Sequence, residues 1–218
     1  IVPSTNPTST VCYKALIALK AGNAIVFSPH PKALQCTLRA VRIVTEAAEK
    51  AGAPEGSVSC LSLGAMAGCQ ELMAAAEVSL ILATGGPGMV RAAYSSGKPA
   101  IGVGAGNGPA YIHRSADIPH AIDCILRSKS FDNGTVCASE QSIIVEESMA
   151  HKVREEAKRR GFYFMDTKEA GTLAKLLFRP NGSLNPAIVG KAATELAHMA
   201  GFSVPEGTKI LVAREQEA

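Results

Sequence analysis

The stretch "FDNGTVCASEQ" at residues 131–141 places Cys137 behind a Gly-Thr-Val step and ahead of an apolar run. A thiol in that setting has two readings. It is a small buried hydrophobe, or it is a nucleophile that attacks a carbonyl as its thiolate. The second reading requires donors for the oxyanion that forms. The backbone N–H of Cys137 is one candidate, and the carboxamide of Asn6 in "PSTNPTS" is another. Asn6 also stands at the start of a predicted helix, where asparagine is a common N-cap. These residues alone leave both pairs of readings open.

A second chemistry is suggested by glycines. "ATGGPGMV" (83–90) follows a strand-like run and opens a helix-like one. Gly85, Gly86 and Gly88 there, after Thr84, would let backbone approach a pyrophosphate at a helix N-terminus. A tight strand–helix turn explains the same residues. "SLGAMAG" (62–68) ends the preceding strand-like run with Gly64, and "GVGAGNG" (102–108), which contains Gly104, is equally glycine-dense. None of these matches GxGxxG, so the common Rossmann fingerprint is missing. "FSPHPK" (27–32) also ends a strand-like run. His30 there is either a loop histidine or a contact to a ribose or phosphate.

The elements that must position these groups alternate along the chain. Strand-like runs fall at 24–28, 58–63, 78–84, 99–104, 110–113, 142–147, 162–165 and 208–213. Helical patterns fall at 32–51, 117–129, 148–160 and 186–200, with shorter ones after 63 and after 87. Runs apolar throughout predict strands covered on both faces. The alternation predicts an α/β architecture built on a doubly wound, mostly parallel sheet, with ligands at the carboxyl ends of its strands. The 218 residues suffice for two domains. The expected division is 1–105 for dinucleotide binding and 106–218 for the nucleophile, both α/β and both incomplete.

Composition narrows the function. Apolar residues make up 47% and charged residues 19%, which argues against disorder. A net charge of +3, with scattered lysines and arginines, gives no basis for nucleic-acid or membrane partners. The six cysteines are widely spaced, with no CxxC and no Cys/His metal cluster, which predicts a reduced, cytoplasmic protein without a metal site. Cys12, Cys36, Cys60, Cys69 and Cys124 are expected in the core. His113, His120, His151 and His198 lack metal spacing and are read as surface or helix positions.

Taken together and in order, "PSTNPTST", "AGNAIVFSPHPKA", "ATGGPGMVRAAYSSGKPAIGVGAGNGPAYI", "SKSFDNGTVCASEQSIIVEE" and "LNPAIVGKAATELAHMAGFSVPEGTKILV" resemble the CoA-acylating aldehyde dehydrogenases. That group includes the aldehyde dehydrogenase part of bifunctional aldehyde–alcohol dehydrogenases. The resemblance implies that Cys137 attacks a short aldehyde, such as acetaldehyde, to give a thiohemiacetal. Hydride transfer to NAD, or to NADP, would leave a thioester, and coenzyme A would take the acyl group. It implies Asn6 and the Cys137 N–H at the oxyanion, Thr84 to Gly88 at the pyrophosphate, Gly64 and Gly104 beside the nucleotide, and Ser28, Pro29 and His30 near the adenosine ribose.

Hydrolytic relatives of that group carry a glutamate that activates water. The matching stretch here, "IGVGAGNGP", has no carboxylate, which disfavours hydrolysis and leaves the thioester for CoA. Their ribose-binding lysine and glutamate are replaced by Ser28 and Pro31. The resemblance further implies a homo-oligomer, in the cytoplasm or in a bacterial microcompartment. It also implies further amino- and carboxyl-terminal portions, so that this chain alone is expected to turn over little. An acyl-phosphate reductase of the same superfamily and a non-catalytic nucleotide-binding protein are the rival readings.

Overall fold

The computed structural model describes residues 1–104 and 106–214. It divides into two compact units, residues 1–105 and 106–218. Each combines helices with short parallel strands.

In the first unit the order is α1 (Pro7–Lys20), β1 (Ile25–Phe27), α2 (Leu34–Lys50), β2 (Val58–Cys60), α3 (Met66–Ala74), β3 (Ile81–Thr84), α4 (Pro87–Tyr94) and β4 (Ala100–Val103). β1 pairs with β2 and β3 with β4, both in parallel. Residues 1 and 2 connect the pairs: the Val2 N–H donates to Ser28 O at 3.0 Å, and the Ile1 backbone nitrogen donates to Leu82 O at 2.9 Å. Val11 and Ala15 of α1 and Val41 of α2 pack on Phe27 and Val58, forming one core. Cys69, Met73 and Ala93 close on Ile81 and Ala83 in a second. Burial of this apolar surface is the main force holding the helices to the strands.

The second unit runs β5 (Gly108–Ile112), α5 (Ile118–Ser130), β6 (Glu140–Val145), α6 (Glu147–Arg159), β7 (Phe162–Phe164), α7 (Thr167–Leu177), α8 (Ala193–Met199) and β8 (Ile210–Val212). β5 pairs with β6 and β7 with β8, again in parallel. Ile122 and Ile125 of α5 and Val153 and Ala157 of α6 pack on Ile112, Phe162 and Ile210. The Asp117 carboxylate caps α5 by accepting the His120 N–H, and Asp166 and Glu169 cap α7 reciprocally.

Three sequence expectations change. The helix expected over 186–200 is confined to Ala193–Met199, because Asn185 folds the chain into turns and Gly190 takes a left-handed φ of 81°. The strand run at 78–84 shortens to Ile81–Thr84, because Val78 is held in a turn by its N–H to Ala75 O. Strands expected to be covered on both faces are open at several positions. Val26, Ile101, Val103, Tyr111 and Ile144 are exposed, whereas β3 is met by α3 and α4 at Ile81 and Ala83 and by α1 at Thr84.

Candidate active site

Cys137 is the second residue of a turn in which the Ser139 N–H donates to Val136 O at 3.1 Å. The thiol is exposed. That removes the buried-hydrophobe reading among the described residues. One hydrogen bond holds its backbone among the described residues. Its carbonyl accepts the Gly106 N–H at 3.0 Å, and Ser139 beyond it is buried. Its own N–H makes no backbone hydrogen bond among the described residues, so the donor is free for an oxyanion. Upstream, Asp132, Asn133 and Gly134 all have positive φ (48°, 50° and 75°), forming a left-handed turn between α5 and the cysteine.

Asn6 lies in the first unit, at the N-cap of α1. Its carbonyl accepts the Thr10 N–H and hydroxyl, yet its side chain makes no capping hydrogen bond. The ordinary role of a helix-starting asparagine is therefore unused, and its carboxamide donors are not spent on the helix. Further along α1, Tyr13 Oη lies 3.4 Å from Thr84 Oγ1, which sets this helix beside the glycine turn.

Thr84, Gly85, Gly86, Gly88 and Gly104 come together in the first unit. The Gly85 N–H donates to Val103 O at 3.0 Å, joining the carboxyl ends of β3 and β4. Pro87 opens α4, where its missing N–H costs nothing. A Cβ built on Gly86 or Gly88 meets nothing within 4 Å, so the approach to the helix N-terminus is open. With the Gly85 N–H spent on Val103 O and none on Pro87, the Gly86 and Gly88 N–H groups are the donors that this positive dipole end could offer a pyrophosphate. A depression of about 490 Å³ beside it is lined by Val90, Arg91, Tyr94 and Gly104.

Ser28, Pro29, His30 and Gly64 form a second group, at the ends of β1 and β2. A Cβ on Gly64 would lie 2.9 Å from Pro31 Cα, so a packing constraint accounts for this glycine. Ser28 and Pro29 are buried. His30 Nδ1 accepts the Lys32 N–H at 3.1 Å and caps the short turn Pro31–Ala33. Burial, then the Lys32 charge, holds its imidazole below the usual histidine range. Its Nε2 makes no hydrogen bond among the described residues.

Lys14 is a residue that sequence reasoning missed. It is buried in α1 and donates to Ile1 O at 2.8 Å and Leu82 O at 2.9 Å. Burial pushes its ammonium down to about 8. A single lysine amid the apolar residues of "VCYKALIAL" was the available signal. Gly106 was visible only as one of a glycine-dense group. The core expectation for the other cysteines holds for Cys69 and, half-buried, for Cys60, whose thiol burial pushes up to about 11. Cys12, Cys36 and Cys124 are exposed instead, and Cys124 Sγ sits 3.6 Å from His120 Nε2 on the open face of α5. Among the described residues no three His, Cys, Asp or Glu side chains are grouped to hold a metal, and no helix is long and apolar enough to cross a membrane.

Residues 1–169 match the aldehyde dehydrogenase family, and the chain belongs to that family. It is 52% identical over 212 residues to the bifunctional aldehyde-alcohol dehydrogenase AdhE of Escherichia coli (strain K12), covering 97% of this chain and 24% of that protein. An acetylating aldehyde dehydrogenase from Geobacillus thermoglucosidasius superposes with a TM-score of 0.93 at 57% identity, over 99% of this chain and 48% of that one. A Rhodopseudomonas palustris propionaldehyde dehydrogenase, solved with bound CoA and an acylated cysteine, gives 0.88 at 35% identity, over 97% of this chain and 48% of that one. The chain thus spans about a quarter of the bifunctional relative and about half of the solved chains. The Geobacillus relative is an acetylating enzyme and the Rhodopseudomonas one carries CoA and an acylated cysteine, while none of these three relatives is an acyl-phosphate reductase.

Proposed function

We propose that the whole protein oxidises a short aldehyde to its CoA thioester, with Cys137 as the nucleophile and a nicotinamide dinucleotide as the oxidant. The observation that carries the reading is the setting of Cys137. Its thiol is exposed on a turn, its N–H makes no hydrogen bond among the described residues, and the segment bonded to its carbonyl begins at Gly106 in a glycine-rich stretch without a carboxylate.

The thiolate of Cys137 adds to the aldehyde carbon, and the carbonyl oxygen becomes an oxyanion. The Cys137 N–H donates to it. The Asn6 carboxamide, unused by its own helix, is proposed as a second donor. The dinucleotide, when bound, supplies the acceptor for the hydride that leaves the thiohemiacetal carbon. Thr84 to Gly88 would hold its pyrophosphate through backbone donors, with Gly104 beside them. Ser28, Pro29, His30 and Gly64 would border its ribose, through His30 Nε2 or through backbone. The product on the protein is a thioester at Cys137. No acid in the stretch 101–109 can activate water against it, so the CoA thiol is the nucleophile that releases it. NAD is the first nucleotide to test, acetaldehyde the first aldehyde. Residues 1–105 would then act as the nucleotide-binding domain and 106–218 as the domain that carries the thiol.

The test is to incubate the whole protein with acetaldehyde and NAD without CoA, quench, and map the acyl group by peptide mass spectrometry. The reading expects the adduct on Cys137, lost in Cys137→Ala and retained in Cys124→Ala. An adduct on Cys124, or none with NADH still formed, would overturn it.

A further inference from the structure

The left-handed turn upstream of Cys137 is unusual in composition. L-residues enter that region as single residues, because Cβ then crowds the following carbonyl. Here Asp132, Asn133 and Gly134 follow one another with φ of 48°, 50° and 75°. Asn and Asp tolerate the region better than other side chains, which makes the run possible but does not enforce it. Strained conformations persist where surrounding contacts over-determine them.

The local contacts are two. The Thr135 hydroxyl donates to the Asp132 carboxylate, and the Thr135 N–H donates to Asp132 O at 3.2 Å. One hydrogen bond ties the turn to a distant part of its unit: Asn133 Nδ2 donates to Gly190 O at 2.8 Å, across 57 residues of sequence. The far end of that tether is firm. Asn185 donates through its N–H to Leu177 O at 2.7 Å and through Nδ2 to Leu176 O at 3.1 Å, at the end of α7. Ile188 is buried, and the Lys191 N–H closes a turn on Ile188 O at 3.2 Å. Gly190 also packs against Thr135: a Cβ there would stand 3.6 Å from Thr135 Cγ2.

Cys137 is thus gripped on one side through its carbonyl by Gly106. On the other side it continues from a left-handed turn that Asn133 ties to Gly190 O. We infer that Asn133 is a positioning residue: its carboxamide, held by Gly190 O, fixes the left-handed turn that aims the Cys137 thiol, and so links residues 185–192 to the rate of thioester formation. The inference rests on the reading of Cys137 as the nucleophile.

Two variants of the whole protein separate tether from strain. Asn133→Gly keeps easy access to the left-handed region and removes the donor. Asn133→Asp keeps size and left-handed tolerance, but turns a carboxylate oxygen toward the Gly190 carbonyl. Both are expected to lower kcat about tenfold, equivalent to about 1.4 kcal/mol in the barrier. KM for the nucleotide should stay within about twofold, because the residues assigned to the nucleotide belong to the other unit. Amide exchange at 188–192 should quicken in both. Asn133→Gly carries no Cβ penalty in the left-handed region, so it decides the question if Asn133→Asp fails to fold. An unchanged kcat, a loss confined to KM, or unaltered exchange at 188–192 would overturn the inference. Turnover retained by Cys137→Ala would instead overturn the nucleophile assignment on which it rests.

Discussion

Gly106→Ala is the sharpest single perturbation of the proposed chemistry. An ideal Cβ on Gly106 would lie 2.7 Å from Cys137 O, while ordinary contacts begin near 3.4 Å. The two backbones must therefore separate by roughly 0.7 Å. Neither atom is the end of a flexible side chain, so the shift falls on the loop that carries the thiol. Gly106 does not have a left-handed φ, so alanine brings no conformational penalty of its own. The stability cost is that of local overpacking, about 1 kcal/mol on an exposed loop. The catalytic cost is larger. A misplacement of about 1 Å lowers rates on the order of 100-fold, so a loss of roughly 10- to 100-fold is expected here. The assay is the pre-steady-state burst of NADH from acetaldehyde, at saturating NAD, in the whole protein. Gly108→Ala is the control, since its Cβ would meet Ser139 O at an ordinary 4.0 Å. A Gly106→Ala burst rate within twofold of the parent's, with the fold intact, would refute the claim that this contact places the nucleophile.

Two further outcomes follow from the first unit. Gly88→Asp puts a carboxylate in the first turn of α4, where it should stabilise the helix by about 0.3–1 kcal/mol yet repel a pyrophosphate. Nucleotide affinity by calorimetry should fall at least about tenfold while the melting temperature does not drop, and unchanged affinity would remove the nucleotide from this turn. Lys14 has a folded pKa near 8, below its unfolded value of 10.5. The unfolded chain therefore binds more protons between those values, and stability should rise with pH across that window, by up to roughly 3 kcal/mol. Comparing urea midpoints of the parent and Lys14→Met from pH 7.5 to 10 isolates this contribution from the opposing one of Cys60. A difference that does not change with pH would mean that Lys14 is not desolvated in solution.

The parallel α/β character of the chain was legible because strand-like and helix-like runs alternate without long gaps. What the runs overstated was length. "VSLILAT" is apolar throughout, but a turn at Val78 leaves only Ile81–Thr84 as strand. Apolar content also suggested two covered faces, whereas Ile101 and Val103 of β4 face outward. Hydropathy records a residue's preference and not which neighbour supplies its cover. At the site, Cys137 and the glycine turn were visible as residue types in context. The left-handed run at Asp132 and Asn133 was not, because it depends on Gly190, far away in sequence. That the Asn6 carboxamide does not cap its helix was also hidden, since sequence marks the N-cap position but not whether the cap is made.

The central claim is that a thioester at Cys137 passes to a thiol and not to water. The measurement that tests it most directly is steady-state NADH formation by the whole protein from acetaldehyde and NAD, with and without CoA. The account predicts sustained turnover only with CoA, and without it a burst that stops near one equivalent per active site. Equal sustained rates in both conditions would contradict it, because water would then be reaching the thioester without the carboxylate that the stretch 101–109 lacks.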